Sequence, residues 1–428
     1  MRLFPTLLAT GLCLGLAVPA SAATPESKIL THTPVGTQVE GSDNQGSAPV
    51  LEPGMSQDML PATGENGSVF YKLPQIQEGE RLHVSTQLIL DPMQQPTSIE
   101  QIDLKAALVQ SDGKSCNSNG AYTSRRGMEN LPLIQLDSSP KNTQGYGRCL
   151  DSQNDELYLS VQRGGKWQDD LEIPLEIRVV VEPALDPTTL SGVVPDSEPP
   201  ITVSLNAQAT EVSGGSGFSN AAKLESGSVY SDSVLPFEVK YYKVHVAEGQ
   251  RLNYRMTVLD SPNASAQDVY TDTYSPLLHH RIMTNPSGQS LSRDDGGASL
   301  SRSMKTAVSR DHIAESTTHQ ALGYPGDYYI TIVGDAYEPR GLNPLAYELA
   351  IEVTGEATGS EAWEPSYDGV SGNGDGLLGL FGGSQEPEQS ADSGSWLPDS
   401  AQIGALLGGA AVALAGFAGL WFLRRKKS

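Results

Sequence analysis

The chain has 428 residues, of which 38% are hydrophobic, and its 28 basic and 51 acidic residues give a formal net charge of −23 at neutral pH. The apolar content is sufficient for packed cores, and the length suits two domains of ordinary size. A surface this acidic repels nucleic acid, so that class of partner is excluded from our expectations.

The N-terminus has the pattern of a secretory signal peptide. Arg2 precedes an apolar run over residues 7–18, which is too short to span a bilayer, and Ala20-Ser21-Ala22 fits a signal peptidase site. We predict a signal peptide over residues 1–22, cleaved after Ala22, and therefore an exported protein.

Two cysteines, Cys116 and Cys149, remain once the signal peptide is removed. A pair of cysteines in an exported chain is more often a disulfide than a metal site or a nucleophile. We predict that they form a structural disulfide, which stabilises the fold by restricting the unfolded chain.

The exported part contains an internal duplication. Residues 39–54 match residues 212–227 without a gap at an offset of 173, and residues 78–82 match residues 248–252 at an offset of 170. The second offset also relates Tyr158 to Tyr328 and Pro174-Leu175 to Pro344-Leu345. Matches at a steady spacing predict two copies of one domain.

We therefore place domain 1 at residues 31–185 and domain 2 at residues 201–354. Residues 186–200 are rich in proline and turn-forming residues, which predicts a short, stiff connector that transmits few contacts between the domains.

Local patterning within each copy predicts β-structure. Residues 251–259 alternate apolar and polar side chains, and residues 328–333 and 347–353 are rich in aromatic and β-branched residues. Gly and Pro turn signals separate these runs, and no long amphipathic helix is evident. The fold class is predicted to be mainly β, with two tandem antiparallel, jelly-roll-like β-sandwich domains.

The motif order in domain 2 resembles a known family. The segments YYKVHVAEGQRL, a P-S-G turn, GDYYITIV and LAYELAIEV together resemble the bacterial pre-peptidase C-terminal domain, a small jelly-roll-like β-sandwich. The preceding GGSGFSNAAKLESGSVYSDSVLP is similar to the accessory ectodomain of actinobacterial membrane proteins that also carry a von Willebrand factor A domain. That A domain is absent here, because no D-x-S-x-S run occurs, so its metal-dependent adhesion does not follow from the resemblance.

Two polar stretches, residues 117–142 and 289–320, are predicted to be long loops. Asp294 and Asp295 lie in the second and could offer oxygens to Ca²⁺, although a D-D-G-G sequence is more often an ordinary turn. These two are the weak candidates for metal binding, and we expect no bound metal and no cofactor.

Several histidines lie near one another in the same part of the sequence. His279 and His280 could meet His312 and His319 in one loop and bind a transition metal. A solvated loop is the favoured interpretation, because adjacent histidines on a strand point to opposite faces.

The C-terminal part has the pattern of a membrane anchor. Residues 355–400 hold nine acidic and no basic residues among Gly, Ser and Pro, which predicts a disordered acidic spacer. Residues 401–423 carry no charge and would form a helix about 34 Å long, enough to cross a hydrocarbon core of about 30 Å. Residues 424–428 are predicted to be a cytoplasmic tail, whose stop-transfer cations are Arg424, Arg425, Lys426 and Lys427. The predicted localisation is the cell membrane, as a single-pass type I protein with an extracytoplasmic ectodomain.

The pentapeptide from Leu397 to Ala401, followed by an apolar run and cations, is laid out like a sortase sorting signal. Ser400 and Ala401 depart from the usual Thr-Gly, so attachment to the cell wall through this segment is an alternative to the membrane anchor.

No catalytic signature is evident in the sequence, and we do not expect an enzyme. We expect a non-catalytic cell-envelope surface protein whose tandem β-sandwiches bind another envelope protein or a cell-wall glycan, or serve as a stalk. The alternative is an exported enzyme with its active site in the loops of domain 2, because a carboxylate pair assembled by folding leaves no sequence motif.

Overall fold

The computed structural model describes residues 31–358, except 63–67, 91–100, 125–130, 142–148, 151–155, 167–168, 187, 189, 267, 281, 285–289, 295, 315–318 and 336–341. The predicted signal peptide, membrane span, basic tail and most of the acidic spacer lie outside the described residues, as does the segment from Leu397 to Ala401. Within the described part, no helix has both the length and the apolar character that crossing a membrane requires.

The first sandwich is built from two sheets. Its strands in chain order are β1 (Thr37–Gln38), β2 (Gly54–Leu60), β3 (Val69–Lys72), β4 (Arg81–Leu88), β5 (Gln101–Gln110), β6 (Ser115–Ser124), β7 (Leu133–Asp137), β8 (Leu157–Gly165) and β9 (Ile173–Glu182). We call the sheet with the order β1-β2-β9-β4-β7 sheet A and the sheet with the order β3-β8-β5-β6 sheet B.

The second sandwich is built in the same way. Its strands are β10 (Thr210–Glu211), β11 (Ala222–Lys223), β12 (Ser228–Val234), β13 (Val239–Val246), β14 (Arg251–Val258), β15 (Asp268–Tyr274), β16 (Ser290–Ser292), β17 (Ser299–Ser303), β18 (Gly326–Asp335) and β19 (Leu345–Thr354). Sheet C has the order β10-β12-β19-β14-β17, and sheet D has the order β11-β13-β18-β15-β16. The described helical turns are short: Gln45–Ser47, Phe218–Asn220, Asp311–Ala314 and Gln320–Leu322.

Matching strand orders confirm that the chain contains tandem β-sandwiches. Sheet C repeats sheet A strand for strand, with β12, β19, β14 and β17 in the places of β2, β9, β4 and β7. Gly79 and Gly249 both have positive φ, at 79° and 83°, in the turn before the matched strands β4 and β14. Leu82 and Leu252, the second residues of those strands, are both fully buried in their own cores.

The predicted matches towards the end of each copy are wrong by one or two residues. Strand register makes Tyr158 the counterpart of Tyr329 rather than of Tyr328. The same comparison makes Leu175 the counterpart of Tyr347, two residues beyond the predicted partner Leu345. The connections between strands differ in length in the two copies, so one fixed offset cannot describe all of the strands.

Period-two alternation explains the two cores. In β4, Leu82 and Val84 point between sheets A and B, whereas His83 and Ser85 point to the other face of sheet A. The second core is richer in tyrosine, and its fully buried members include Tyr242, Tyr254, Tyr328 and Tyr347.

The prediction that residues 117–142 and 289–320 are long loops is wrong in part. Strands β6 and β7 run through the first stretch, and β16 and β17 run through the second. Strands β6, β16 and β17 are polar because they lie at the edges of their sheets, where packing demands few apolar side chains, whereas the edge strand β7 places Ile134 and Leu136 in the first core.

The outer face of sheet A is covered by the second sandwich. Val180 packs with Leu277, Ile313 and Tyr324, and Leu131 packs with a group that includes Tyr241, Tyr274 and Leu278. Polar contacts accompany these apolar ones: Gln87 Nε2 donates to the Tyr241 hydroxyl at 3.2 Å, and Arg178 donates to the Pro276 carbonyl at 2.8 Å. We call this contact region the intersandwich interface.

The connector packs against the second sandwich, and the prediction that it transmits few contacts between the domains stays a prediction. The Gly192 N–H and the Ser191 hydroxyl donate to the Asp311 carboxylate at 2.9 and 2.6 Å. Further along, Arg251 donates to the Pro199 carbonyl at 2.9 Å, and its guanidinium lies 3.2 Å from the Glu198 carboxylate.

Candidate functional site

A group of polar side chains lies buried in the intersandwich interface. His83 on β4 faces away from the first core, and Asp137 lies directly opposite it on β7. Glu182 is at the end of β9, diagonal to His83 on the same face of sheet A. The second sandwich contributes His279 and Tyr324, and we call these five residues the interface cluster.

His83 is held between two carboxylates. Its Nδ1 lies 2.5 Å from Asp137 Oδ1, and its Nε2 lies 2.7 Å from Glu182 Oε2. The other oxygen of Asp137, Oδ2, lies 2.9 Å from Nε2 of His279. Asp137 therefore bridges a histidine of the first sandwich and a histidine of the second.

Tyr324 completes the cluster from the second sandwich. Its hydroxyl donates to Glu182 Oε2 at 3.0 Å, and its ring lies edge-on to His83 and parallel to His279. The Tyr324 carbonyl accepts a hydrogen bond from the Tyr328 hydroxyl at 2.8 Å, which ties the residue to strand β18. Tyr324 is fully buried.

His279 is positioned by a tight turn after β15. The Ser275 hydroxyl accepts a hydrogen bond from the His279 N–H at 3.1 Å and lies 3.3 Å from Nδ1 of the ring. The Ser275 N–H in turn donates to the His279 carbonyl at 2.9 Å. Leu278, just before the histidine, has a φ of 64°, an unusual conformation for a branched side chain and one that the surrounding packing must enforce.

Burial differs across the cluster. The side chains of His83 and Glu182 are 2% and 4% exposed, whereas those of Asp137 and His279 are 25% and 15% exposed. The Asp137–His279 side of the cluster therefore faces the rim of the interface, and the Glu182 side is enclosed.

The electrostatics of the cluster favour a charged His83. Burial disfavours the imidazolium, but the carboxylates of Asp137 and Glu182 outweigh it and raise the pKa of His83 to about 9. Burial likewise opposes ionisation of Asp137, yet His279 and His83 hold its pKa well below the ordinary value. The pKa of Glu182 is lowered against the effect of burial by its hydrogen bond to His83 and by the charges of His83 and Arg81.

The arrangement has two chemical capabilities. As an ion-paired network it joins the sandwiches through charge-assisted hydrogen bonds, which are stronger than neutral ones. Its donor atoms are also of the kind that bind metals, and one ligand atom from each of His83, Asp137 and His279 lies within 4.8 Å of the others. No other such group occurs among the described residues.

The two predicted cysteines do come together. Cys116 on β6 and Cys149 form a disulfide with a Cα–Cα distance of 5.2 Å, and Cys149 is buried in the first core. This confirms the predicted disulfide.

The calcium candidates do not form a site in the described residues. The Asp294 side chain is 82% exposed and pairs with the adjacent Arg293 at 3.3 Å, and Asp295 lies outside the described residues. Of the predicted histidine group, His312 lies against His319, whereas His279 contacts His83 and Asp137 of the first sandwich.

Sequence reasoning missed His83, Asp137, Glu182 and Tyr324. Each looks like an ordinary polar or aromatic residue of a strand or turn. For His83, the alternation of side chains along β4 predicts a position facing solvent. The one available signal was the pair of acidic residues at the ends of β7 and β9, which become neighbours of β4 only when the strand order is known.

No protein-family model matches the chain, and no curated protein matches it. Solved structures with some likeness include an N-terminal tandem of CBM22 domains from Paenibacillus barcinonensis, at 10% identity over 79% of this chain and 100% of that one, with a TM-score of 0.17.

Two other similar structures contain several domains. The CUB1-EGF-CUB2 domains of rat MASP-1 match at 7% identity over 73% of this chain and 100% of that one, with a TM-score of 0.17. An M60 catalytic domain with two CBM51 domains from Clostridium perfringens matches at 10% identity over 68% of this chain and 34% of that one, with a TM-score of 0.16. TM-scores this low support no inference from these structures to the function of this chain.

Proposed function

We propose that this chain is a non-catalytic cell-envelope surface protein. Its two β-sandwiches act as one rigid ectodomain that binds another envelope protein or a cell-wall glycan, or serves as a stalk. The observation that carries the proposal is the intersandwich interface, which joins the sandwiches by apolar packing and by the buried interface cluster. Domains move relative to one another by default unless an apolar interface holds them together, and here Val180 and Leu131 pack against apolar groups of the second sandwich.

Membrane tethering is part of the proposal and rests on the sequence. The signal peptide ending at Ala22, the uncharged residues 401–423 and the cations that follow favour a single-pass type I protein. The kinship with pre-peptidase C-terminal domains and with the accessory ectodomain of actinobacterial A-domain proteins is likewise a proposal, supported by the quoted motifs.

The alternative is an exported enzyme with its active site in the loops of domain 2, which supply His279 and Tyr324 to the interface cluster. Both ring nitrogens of His83 already lie within 2.7 Å of carboxylate oxygens, so neither is available to take a proton from a substrate. His279 contacts Asp137 and Ser275 through its two nitrogens. These contacts favour a structural role for the cluster.

A distance measurement tests the rigid ectodomain. Spin labels at V50C in the first sandwich and E225C in the second lie on side chains that are more than half exposed. The full chain in detergent should give one narrow distribution of label-to-label distances. A broad or two-component distribution would show independent sandwiches and refute the proposal.

Protease accessibility tests the tethering. Protease added to intact cells without their wall should digest both sandwiches and leave a cytoplasmic marker whole. Survival of the sandwiches alongside the marker would contradict the proposed orientation.

A further inference from the structure

We propose that His83, Asp137 and His279 bind a divalent transition metal ion of the zinc class at the intersandwich interface. The inference does not depend on the proposed function.

The donor set suits such an ion. Two imidazole nitrogens and one carboxylate oxygen are common protein ligands of Zn²⁺, with a water completing a tetrahedron. Bonds of about 2.0–2.1 Å hold the ligand atoms of a tetrahedral ion about 3.3 Å apart. The three ligand atoms here lie within 4.8 Å of one another, so small side-chain adjustments bring them to that spacing.

The surroundings of the ligands are those of a metal site. A histidine that binds a metal through one nitrogen usually donates from the other to a carboxylate, which fixes the ring and its tautomer. His83 turns Nδ1 towards Asp137, and its Nε2 lies 2.7 Å from Glu182 Oε2, which also accepts from Tyr324. On the other ligand, Ser275 Oγ lies 3.3 Å from Nδ1 of His279 and leaves Nε2 facing Asp137.

The exposure and the charge of the site also suit a metal ion. Asp137 and His279 keep part of their surface at the rim of the interface, which gives an ion a route to the ligands and room for a water. Two carboxylates, those of Asp137 and Glu182, offset the charge of the ion. Binding replaces the proton that His83 shares with Asp137, so metal uptake releases protons.

The ligands come from both sandwiches. His83 and Asp137 belong to sheet A, and His279 belongs to the second sandwich. A bound ion therefore cross-links the two at the rim, and removing the ligand of either side should weaken its binding.

Titration with Zn²⁺ alone is the direct test. The full chain, purified in detergent and treated with a chelator, should bind one Zn²⁺ per chain by calorimetry. Co²⁺ alone should give the visible absorption of a four- or five-coordinate site. H279Q should weaken Zn²⁺ binding at least tenfold, whereas the matched control H280Q, one residue along, should bind like the wild type.

A second variant tests Glu182, which contacts the metal ligand His83 and is not itself a ligand. E182Q leaves all three ligands in place and removes the carboxylate that bonds to Nε2 of His83 and to the Tyr324 hydroxyl, so Zn²⁺ affinity should fall about 10–100-fold with the stoichiometry unchanged. The melting temperature measured in chelator verifies that each variant is folded, and only the wild type and H280Q should gain a full increase on adding Zn²⁺. Absence of saturable Zn²⁺ binding in the wild type, or unchanged binding in folded H279Q, would overturn the proposal.

Discussion

At the scale of single residues, one hydrogen-bonded pair is repeated in both sandwiches. The Tyr71 hydroxyl donates to the Asp58 carboxylate at 2.7 Å, and the Tyr242 hydroxyl donates to Asp232 at 2.5 Å. In each copy the same carboxylate oxygen also accepts a backbone N–H from a glycine, at 2.8 Å. A Cβ on either glycine would meet a neighbouring side chain at under 3.0 Å, so only glycine fits these positions.

Replacing Tyr71 with phenylalanine should destabilise the first sandwich. The variant leaves the Asp58 carboxylate without one of its buried partners, and the expected cost is about 1–3 kcal/mol in free energy of unfolding, measured by urea denaturation. Y242F should cost more, since it breaks the equivalent bond and also the hydrogen bond between the Tyr242 and Tyr347 hydroxyls. The control Y158F, whose hydroxyl bonds to the partly exposed Glu156, should cost less than about 1 kcal/mol.

Asp327 should make stability depend on pH in the acid range. Hydrogen bonds from His245 and Lys243, and their charges, lower the pKa of Asp327 to about 2, against burial and from an ordinary value of 3.8. Its stabilising contribution is complete above the ordinary pKa and is lost as the pH falls towards 2.

The measurement is urea unfolding of the wild type and D327N at several pH values. The difference should be below about 1 kcal/mol at neutral pH, because the group is partly exposed, and should vanish near pH 2. A difference that grows as the pH falls would refute this assignment.

At the scale of elements, strands were predicted in residues 251–259, 328–333 and 347–353, where apolar alternation or aromatic and β-branched residues are concentrated. Residues 251–259 and 347–353 were recognised because β14 and β19 are central strands of sheet C, packed on the second core. Strand β6 was missed because its sequence, SCNSNGAYTS, is polar, and long-range contacts, its ladder with β5 and the disulfide at Cys116, hold it in place. The interface cluster was missed for a related reason: the outer face of a sheet looks solvated until another domain covers it.

The disulfide should be a major source of stability for the first sandwich. Its cysteines are 33 residues apart, and loop closure of this length is worth about 3–4 kcal/mol in the chain-entropy model. The double variant C116A/C149A should lose this much in urea unfolding, and the wild type should lose a similar amount on reduction. Free thiols in the oxidised protein before unfolding would contradict the prediction.

At the scale of the whole molecule, the two sandwiches share one continuous set of contacts. Phe237 and Val333 of the second sandwich pack with the core residues of the first, and the connector is bonded along the second. The sequence predicted the duplication but treated the copies as independent, because repeats indicate similarity and give no information on how the copies pack.

Truncating a core leucine should reveal this coupling. Leu82→Ala and Leu252→Ala should each cost about 2–5 kcal/mol through lost burial and a residual cavity. Because the sandwiches share an interface, calorimetry should show one transition that moves down as a whole in either variant. Two transitions, of which only one moves, would mean that the sandwiches unfold independently.

The place of β19 also bears on how the second sandwich resists an applied force. β19 is the middle strand of sheet C, antiparallel to both β12 and β14, and it ends at Thr354. A pull on Thr354 along the strand axis shears the hydrogen bonds to both neighbours together. An edge strand under the same pull would peel away one bond at a time. The last described strand therefore lies in the part of the sheet that resists such a pull best.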